Sequence, residues 1–114
     1  MKIQNTSKAS VIAQQADRAD TFLSRLIGLL GRTDLKPDQG LVINRANSIH
    51  MFFMKFPIDA IFVNRENRVV GLVENIKPFQ LSPVFWRAHF VIEVGVGVIE
   101  TSKTTLGDLI RLED

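Results

Sequence analysis

The sequence predicts a mainly β, single-domain protein with one short helix near its N-terminus. A length of 114 residues fits one domain. From Leu41 onward the chain is a succession of short β-branched or aromatic segments bounded by Pro, Gly or Asn, which is typical of strands. One stretch before Leu41 has apolar residues at helical spacing. The 46% apolar content suffices for a core without disulfides or metals.

The first two elements precede Leu41. The short apolar run over residues 10–13 predicts a strand. A helix follows, because Asp20 suits the N-cap position and a helix ending near Gly31 places a set of apolar side chains on one stripe. Those residues are Phe22, Leu23, Leu26, Ile27 and Leu30.

The remaining strands follow a turn-forming segment at residues 36–40. Residues 64–68 form a hairpin loop in which Asn67 can take the left-handed conformation usually given to Gly, so the strands on either side are antiparallel neighbours. Gly107 and Asp108 form a turn before the last strand. The predicted strands cover residues 41–44, 48–54, 58–63, 69–76, 88–94 and 109–112.

The composition excludes several classes of function. The chain has no cysteine, which rules out disulfides, a thiolate nucleophile, an iron–sulfur site and a Cys-ligated zinc. A net charge of +2, with Lys and Arg interleaved with Asp and Glu, argues against a nucleic-acid partner. No apolar stretch approaches the roughly 20 residues of a membrane helix, so no membrane partner is expected. The polar N-terminus shows no export signal, and we expect a cytoplasmic protein.

Asp59 is the most informative polar residue, because apolar residues flank it on both sides. A carboxylate in that position must reach solvent or find a partner. Lys55, Arg25 and Arg32 are candidates for an ion pair that would have a structural role. The alternative is a polar anchor at the floor of an apolar ligand pocket.

His50 begins the densest part of the sequence. In a regular strand over residues 48–54, His50, Phe52 and Met54 would share one face, and both faces would be apolar. We expect His50 to be a hydrogen-bonded residue that orders the loop before this strand. The alternative is a ligand-binding residue or a general base.

Glu74 and Glu93 lie on mixed faces of two other predicted strands. If those faces share a surface with His50 and Asp59, the carboxylates and histidines converge on a shallow cleft. No HxH or HExxH spacing supports a metal site, and we expect neither a metal nor another cofactor. An acid and base pair of Glu74 and Glu93 depends on the distance between their carboxyl groups, which sequence separation does not determine.

Two further features complete the candidate ligand-binding residues. Arg25 and Arg32 lie about two helical turns apart, and they either clamp an acidic group or pair with carboxylates such as Asp59. The loop over residues 77–87 contains Trp86 and several other aromatic or proline residues. Its rings either cap an open end of a barrel or form an exposed patch for a ligand, a sugar ring or a partner.

The chain resembles the family catalogued as domain of unknown function 192. The resemblance covers about residues 25–110 in matching order and spacing. Its densest part is residues 50–63, HMFFMKFPIDAIFV. The other matching residues are Arg25, Gly28, Leu29, Leu30, Gly31, Arg32, Gly40, Leu41, Arg68, Val69, Val70, Glu74, Asn75, Pro78, Val91, Ile92, Glu93, Gly107 and Asp108.

The resemblance implies a β-sandwich or barrel of jelly-roll character with a small helix packed on it, and it implies no established reaction. The chain departs from the family pattern at three positions. Ile27 stands where many relatives have a second basic residue, Asn67 replaces a hairpin Gly, and Gly95 replaces a proline. The Cys often seen shortly before the His is absent, so no thiol-dependent role carries over.

The sequence leaves three hypotheses for function. The first is a small non-enzymatic binding or interaction module for a small molecule, a glycan or a protein, as a monomer or weak homo-oligomer, because the chain combines an aromatic loop with no catalytic motif. The second is a hydrolase-type enzyme that uses His50 with Asp59 or a strand carboxylate. The third is a structural or assembly role in which a sheet edge or the aromatic loop mediates self-association.

Overall fold

The computed structural model describes residues 1–19, 35–36, 38–52 and 54–114. Within these residues the chain is mainly β, with two sheets and one short helix. The elements are β1 (Lys2–Asn5), β2 (Ser10–Ala13), β3 (Gln15–Ala19), β4 (Gln39–Asn44), β5 (Ile58–Val63), β6 (Val69–Ile76), β7 (Phe90–Val94), α1 (Val98–Thr101) and β8 (Ile110–Glu113).

The strand order places distant parts of the chain side by side. A three-stranded antiparallel sheet has the order β2-β1-β8. A five-stranded sheet has the order β3-β4-β7-β5-β6, in which β3 and β4 are parallel and the other pairs are antiparallel. Strand β7 therefore lies between β4 and β5, with Ile92 level with both Val42 and Ile61.

The five-stranded sheet is covered on both faces, and every residue of β5 and β7 is buried. Strand β5 is apolar except for Asp59, as expected for a strand with both sides covered. One face shares a core cluster with the three-stranded sheet, which contributes Ile3, Ile12 and Ile110. Irregular segments cover the opposite face, with the buried side chains Leu35, Ile49, Met51, Met54 and Phe56.

Most of the predicted strands are present. β2, β5 and β6 have the predicted bounds. β4 and β7 differ from them by two residues at one end, and β8 is shifted by one residue. The predicted hairpin loop is confirmed, because Asn67 has a φ of 63°. Asn64 Oδ1 accepts hydrogen bonds from the main-chain N–H groups of Glu66 and Arg68 at 3.0 and 2.8 Å. β1 and β3 were not predicted, because their sequences KIQN and QADRA are largely polar.

The strand predicted over residues 48–54 is wrong. Apart from Phe53, which lies outside the described residues, this segment is irregular, and only His50 makes an isolated antiparallel bridge, to Leu81. The chain turns here, because the Met54 N–H donates a hydrogen bond to the Met51 carbonyl at 3.3 Å. Alternation fails because the segment covers a sheet face instead of extending the sheet, so both methionines turn their side chains toward that face.

The helix predicted between its N-cap Asp20 and its end near Gly31 lies outside the described residues. The helix that the described residues form is α1, near the C-terminus rather than the N-terminus. The sequence did not predict α1 because four residues carry no helical period. Gly97 at its N-cap has a φ of 98° and provides no side-chain cap. Within the described ranges, no helix has the length and apolarity needed to span a bilayer.

Candidate binding surface

Asp59 holds together three segments of the interior. It is fully buried on β5, and its Oδ1 accepts a hydrogen bond from the Asn75 main-chain N–H at 2.8 Å. Its Oδ2 accepts from the N–H groups of Gly97 and Ile99 at 3.0 and 3.1 Å, at the start of α1. Asn75 has a φ of 52°, so the carboxylate also fixes a left-handed position near the end of β6. Main-chain N–H groups thus take the place of the cationic partner that the sequence suggested.

Glu93 is also completely buried, near the end of β7. It lies level with Ala60 of β5, which in turn lies level with Val73 of β6. Because successive side chains of a strand alternate between faces, Asp59 and Glu93 project to opposite sides of the sheet. Glu74 is exposed on the edge strand β6. The structure therefore does not bring these three carboxylates to one surface.

His50 lies where two irregular segments run side by side. The Met51 N–H donates to the Gln80 carbonyl, and the Phe79 N–H donates to the Met51 carbonyl, both at 2.9 Å. The His50 ring stacks on the Phe52 ring with 4.9 Å between centroids. His50 is half-buried and is therefore part of the contact between the two segments.

These two segments, residues 47–52 and 79–86, carry several large apolar side chains that are exposed to solvent, and we call them the platform. Trp86 is 83% exposed, Phe79 71% and Leu81 66%. Single exposed apolar residues are common on protein surfaces, but a group of them on two hydrogen-bonded segments is typical of a contact surface. The platform side chains are Phe52, Phe79, Leu81, Val84 and Trp86.

Phe85 attaches the platform to the five-stranded sheet. Its ring centroid lies 4.4 Å from that of Phe62, which is completely buried. A Cβ atom at Gly71 would lie 2.4 Å from a carbon of the Phe85 ring, so the ring occupies space that the absence of a side chain leaves open. Of the rings in this loop, Phe85 packs on the core while Phe79 and Trp86 remain in solvent.

Positive charge surrounds the platform. Residues 45–57 and 77–89 contain four of the 14 Lys and Arg residues of the chain and none of its 12 Asp and Glu residues. Lys55, Lys77 and Arg87 are exposed. The net charge of +2 conceals this segregation, because folding brings together two segments that are far apart in sequence.

Sequence patterns did not reveal a basic cleft at the end of the five-stranded sheet. This open cleft has a volume of about 620 Å³, and Arg45, Arg65 and His89 contribute to its lining. Arg45 follows β4, Arg65 lies in the hairpin after β5, and His89 precedes β7. Because only the strand order brings these residues together, no local sequence signal marks the cleft.

Asp108 is a further buried carboxylate. Its Oδ2 accepts hydrogen bonds from Asn5 Nδ2 at 2.9 Å and from the Thr105 N–H at 2.8 Å, and Lys8 Nζ lies 2.8 Å from its Oδ1. Burial alone would raise the pKa of Asp108. The hydrogen bonds from Asn5, Lys8 and Thr105 outweigh that effect and hold the pKa well below its usual value.

The remaining candidates do not form a site that the structure can test. Arg25 and Arg32 lie outside the described residues, and the predicted acid clamp lies there with them. In the part of the chain that is described, no three His, Cys, Asp or Glu side chains are grouped so as to hold a metal ion.

Comparison with known proteins extends the match to almost the whole chain. A family model described as "Uncharacterized ACR", domain of unknown function 192, matches residues 2–112. A UPF0127 protein of Pyrococcus horikoshii is 36% identical over 115 residues, covering 96% of this chain and 96% of that protein. A UPF0127 protein of Thermococcus kodakarensis is 37% identical, covering 95% of this chain and 71% of that protein.

Two solved structures are similar in fold. A protein of unknown function from Novosphingobium aromaticivorans has a TM-score of 0.81 at 24% identity, covering 97% of this chain and 82% of that one. A putative transcription regulator from Sinorhizobium meliloti has a TM-score of 0.73 at 19% identity, covering 96% and 89%. At these identities the likeness concerns the fold alone.

Proposed function

Since this chain belongs to the family described as domain of unknown function 192, whose UPF0127 relatives carry no stated activity, we propose its function from its own surface. The chain is a non-enzymatic binding module that receives an acidic protein segment with apolar side chains on the platform. One observation carries this proposal: five large apolar side chains are exposed on two hydrogen-bonded segments that contain no carboxylate.

An extended protein segment suits the platform better than a small ligand does. Trp86, Phe79 and Leu81 are widely open to solvent, whereas a small-molecule site encloses most of its ligand. Trp and other aromatic residues supply much of the binding energy of protein interfaces once a partner covers them. Lys77 and Arg87 favour acidic residues in that partner. A segment that combines apolar residues with Asp or Glu matches both properties.

The burial of the candidate carboxylates weighs against the hydrolase alternative. Asp59 and Glu93 are fully buried. Both oxygens of Asp59 already accept main-chain hydrogen bonds. A general acid or base must come within hydrogen-bonding distance of a substrate, and these carboxylates do so only if the core opens.

A second copy of the chain is a poorer occupant of the platform than an acidic segment. In a two-fold symmetric dimer the same surface meets itself. The Lys77 and Arg87 side chains of one copy would then approach those of the other, and like charges across an interface weaken association. Repulsion between these like charges favours a monomer or a weak homo-oligomer.

The test is a selection of random short peptides, displayed on phage, against the immobilised full chain. We expect the selected peptides to be enriched in Asp and Glu together with Leu, Phe or Trp, relative to the unselected library. Leu81→Ser and Trp86→Ser should each weaken binding of a selected peptide by about tenfold. Leu106→Ser is the matched control, because Leu106 is 65% exposed against 66% for Leu81 but lies outside the platform. Its affinity should equal that of the unchanged chain.

Two results would contradict the proposal. The first is a set of selected peptides with no acidic excess. The second is equal binding to the Leu81→Ser, Leu106→Ser and unchanged proteins. Self-association in sedimentation experiments that Leu81→Ser abolishes would assign the platform to a second copy of the chain instead.

Two expectations from the sequence belong to this proposal. The first is a β-sandwich of jelly-roll character, supported by the core cluster that joins Ile3 and Ile12 of the smaller sheet to Ile61 and Ile92 of the larger one. The second is a cytoplasmic location, which cell fractionation tests directly.

A further inference from the structure

The basic cleft has the lining of a binding site in its own right. Its lining residues are Arg45, Ala46, Asn47, Arg65, Ala88 and His89, and no carboxylate is among them. The cleft is open to solvent, and its volume of about 620 Å³ gives room for a small ligand that stays partly exposed. The cleft borders the platform at Asn47, whose carbonyl accepts the Phe85 N–H at 2.8 Å. The two surfaces are neighbours with different chemistry, one basic and one apolar.

The strand register holds the walls of the cleft in place. Asn44, which ends β4, and Val63, which ends β5, are both level with Phe90, which begins β7. The loops that follow β4 and β5 and the loop that precedes β7 therefore lie together at one end of the sheet. Main-chain hydrogen bonds join these loops. The His89 N–H donates to the Val63 carbonyl at 2.7 Å, and the Ala46 N–H donates to the His89 carbonyl at 3.1 Å. The backbone that carries the basic side chains is thus fixed.

The cleft gathers positive charge without a counter-charge from the protein. Within the described ranges, neither Arg45 nor Arg65 forms an ion pair or a side-chain hydrogen bond. Glu66, the carboxylate nearest in sequence, does not line the cleft. Arg45 has a φ of 55°, a left-handed conformation that is uncommon for residues other than Gly, Asn and Asp. An oxyanion would provide acceptors for both guanidinium groups, which bind phosphate through paired hydrogen bonds.

We propose that the basic cleft binds the phosphate group of a small phosphomonoester. Arg45, Arg65 and His89 approach from three different segments, and donors from several directions suit a tetrahedral dianion better than a planar carboxylate with one charge. The volume leaves space for an organic group beside the phosphate, next to Ala46 and Ala88. This ligand and the partner on the platform occupy different surfaces, so the inference does not depend on the proposed function.

The experiment is a titration of the full chain with glycerol 3-phosphate, monitored by backbone amide and arginine Nε–H resonances in NMR spectra. We expect saturable shifts at the cleft residues, and none with glycerol or acetate. Arg45→Asn and Arg65→Gln should each weaken binding about tenfold, and Asn tolerates the left-handed conformation at position 45. Arg111→Gln is the control for loss of charge, because its exposed ion pair with Glu113 contributes little to stability. Its affinity should be unchanged.

The outcomes separate the ligand classes and the two proposals. Inorganic phosphate that binds as tightly as glycerol 3-phosphate would overturn the assignment to an ester. Acetate that binds equally well would overturn the preference for a dianion. Absence of saturable shifts, or equal affinity in Arg45→Asn, Arg65→Gln and Arg111→Gln, would overturn the site itself. Trp86→Ser should keep the phosphate affinity unchanged, which distinguishes this inference from the binding of peptides on the platform.

Discussion

The buried carboxylates and the platform differ in whether the chain itself provides contacts for their side chains. Asp108 receives hydrogen bonds from Asn5 and Lys8, among others, and Asp59 accepts three from main-chain N–H groups. On the platform, Trp86 and Phe79 keep most of their apolar surface in water. The carboxylates of Asp59 and Asp108 have their hydrogen-bond partners within the chain, whereas the exposed apolar groups lack a cover within the described residues.

This contrast indicates which residues serve the fold and which are available for binding. A buried carboxylate without partners would destabilise the protein strongly, so hydrogen bonds around Asp59 and Asp108 are a requirement of folding. An exposed Trp86 stabilises nothing inside the chain. Conspicuous polar residues such as Asp59 therefore serve the fold. The exposed apolar residues of the platform are not explained by folding, which leaves them available for binding.

The largest effect is expected for Asp59→Asn. The amide keeps the size of the carboxylate but replaces one acceptor oxygen with a donor that faces main-chain N–H groups. Leaving these buried N–H groups without an acceptor should lower the free energy of unfolding by about 3 kcal/mol. Urea denaturation monitored by circular dichroism measures the loss.

Glu74→Gln is the matched control for that substitution. Glu74 is exposed, so its conversion to the amide should change the free energy of unfolding by less than about 0.5 kcal/mol. Equal losses for Asp59→Asn and Glu74→Gln would mean that the interior carboxylate is not the stabilising group we describe.

A smaller effect, dependent on pH, is expected at Asp108. Its pKa is lower in the folded protein than the ordinary value of 3.8, so its stabilising contribution is complete above that pH and is lost as the pH falls toward the folded pKa. Asp108→Asn should cost about 2 kcal/mol at neutral pH and progressively less in more acidic solution. Urea unfolding at neutral and at acidic pH measures both costs. An identical cost under the two conditions would show that charge is not the cause.

A substitution at the junction between the core and the platform should have an intermediate effect on stability. In Gly71→Ala the new methyl group meets the Phe85 ring, which must shift away from Phe62. We expect the free energy of unfolding to fall by roughly 1–2 kcal/mol. We also expect the loop that carries Trp86 to be held less firmly against the core. Thermal unfolding measures the first effect, and amide hydrogen exchange in residues 79–86 measures the second. Unchanged exchange rates would show that packing of Phe85 on the core does not stabilise the platform.

The smallest effect is expected on the platform itself. Leu81→Ser and Trp86→Ser remove apolar surface that is already in water, so each should change the free energy of unfolding by less than about 0.5 kcal/mol. Urea denaturation, monitored by circular dichroism so that loss of the indole does not affect the signal, measures the change. A loss comparable with that of Asp59→Asn would show that these side chains stabilise the fold.

The sequence was sufficient where a local pattern determines the structure. Strand β5 is apolar apart from Asp59 because both of its faces are covered, and Asn67 marks the hairpin by its tolerance of positive φ. The need of Asp59 for a partner was also evident from its neighbours. Its actual partners were not, because the Gly97 and Ile99 N–H groups lie 38 and 40 residues further along the chain.

The sequence was insufficient where tertiary context determines the structure. Residues 48–54 have the composition of a strand, yet they cover a sheet face and Met51 and Met54 both turn toward it. The basic cleft depends on β7 lying between β4 and β5. Period-two patterns indicate which residues share a face of one strand, but they do not determine strand order.

The pairing of β1 with β8 has a consequence for synthesis in the cell. β1 is the central strand of the smaller sheet, and Ile3 lies level with Leu112. The ribosome makes β1 long before β8, so this sheet is completed only once β8 has been synthesised. Until then the nascent polypeptide lacks part of the layer that shares a core with the larger sheet. We therefore expect the smaller sheet to form late and comparatively slowly, with chaperone contacts concentrated in the interval before β8 is made.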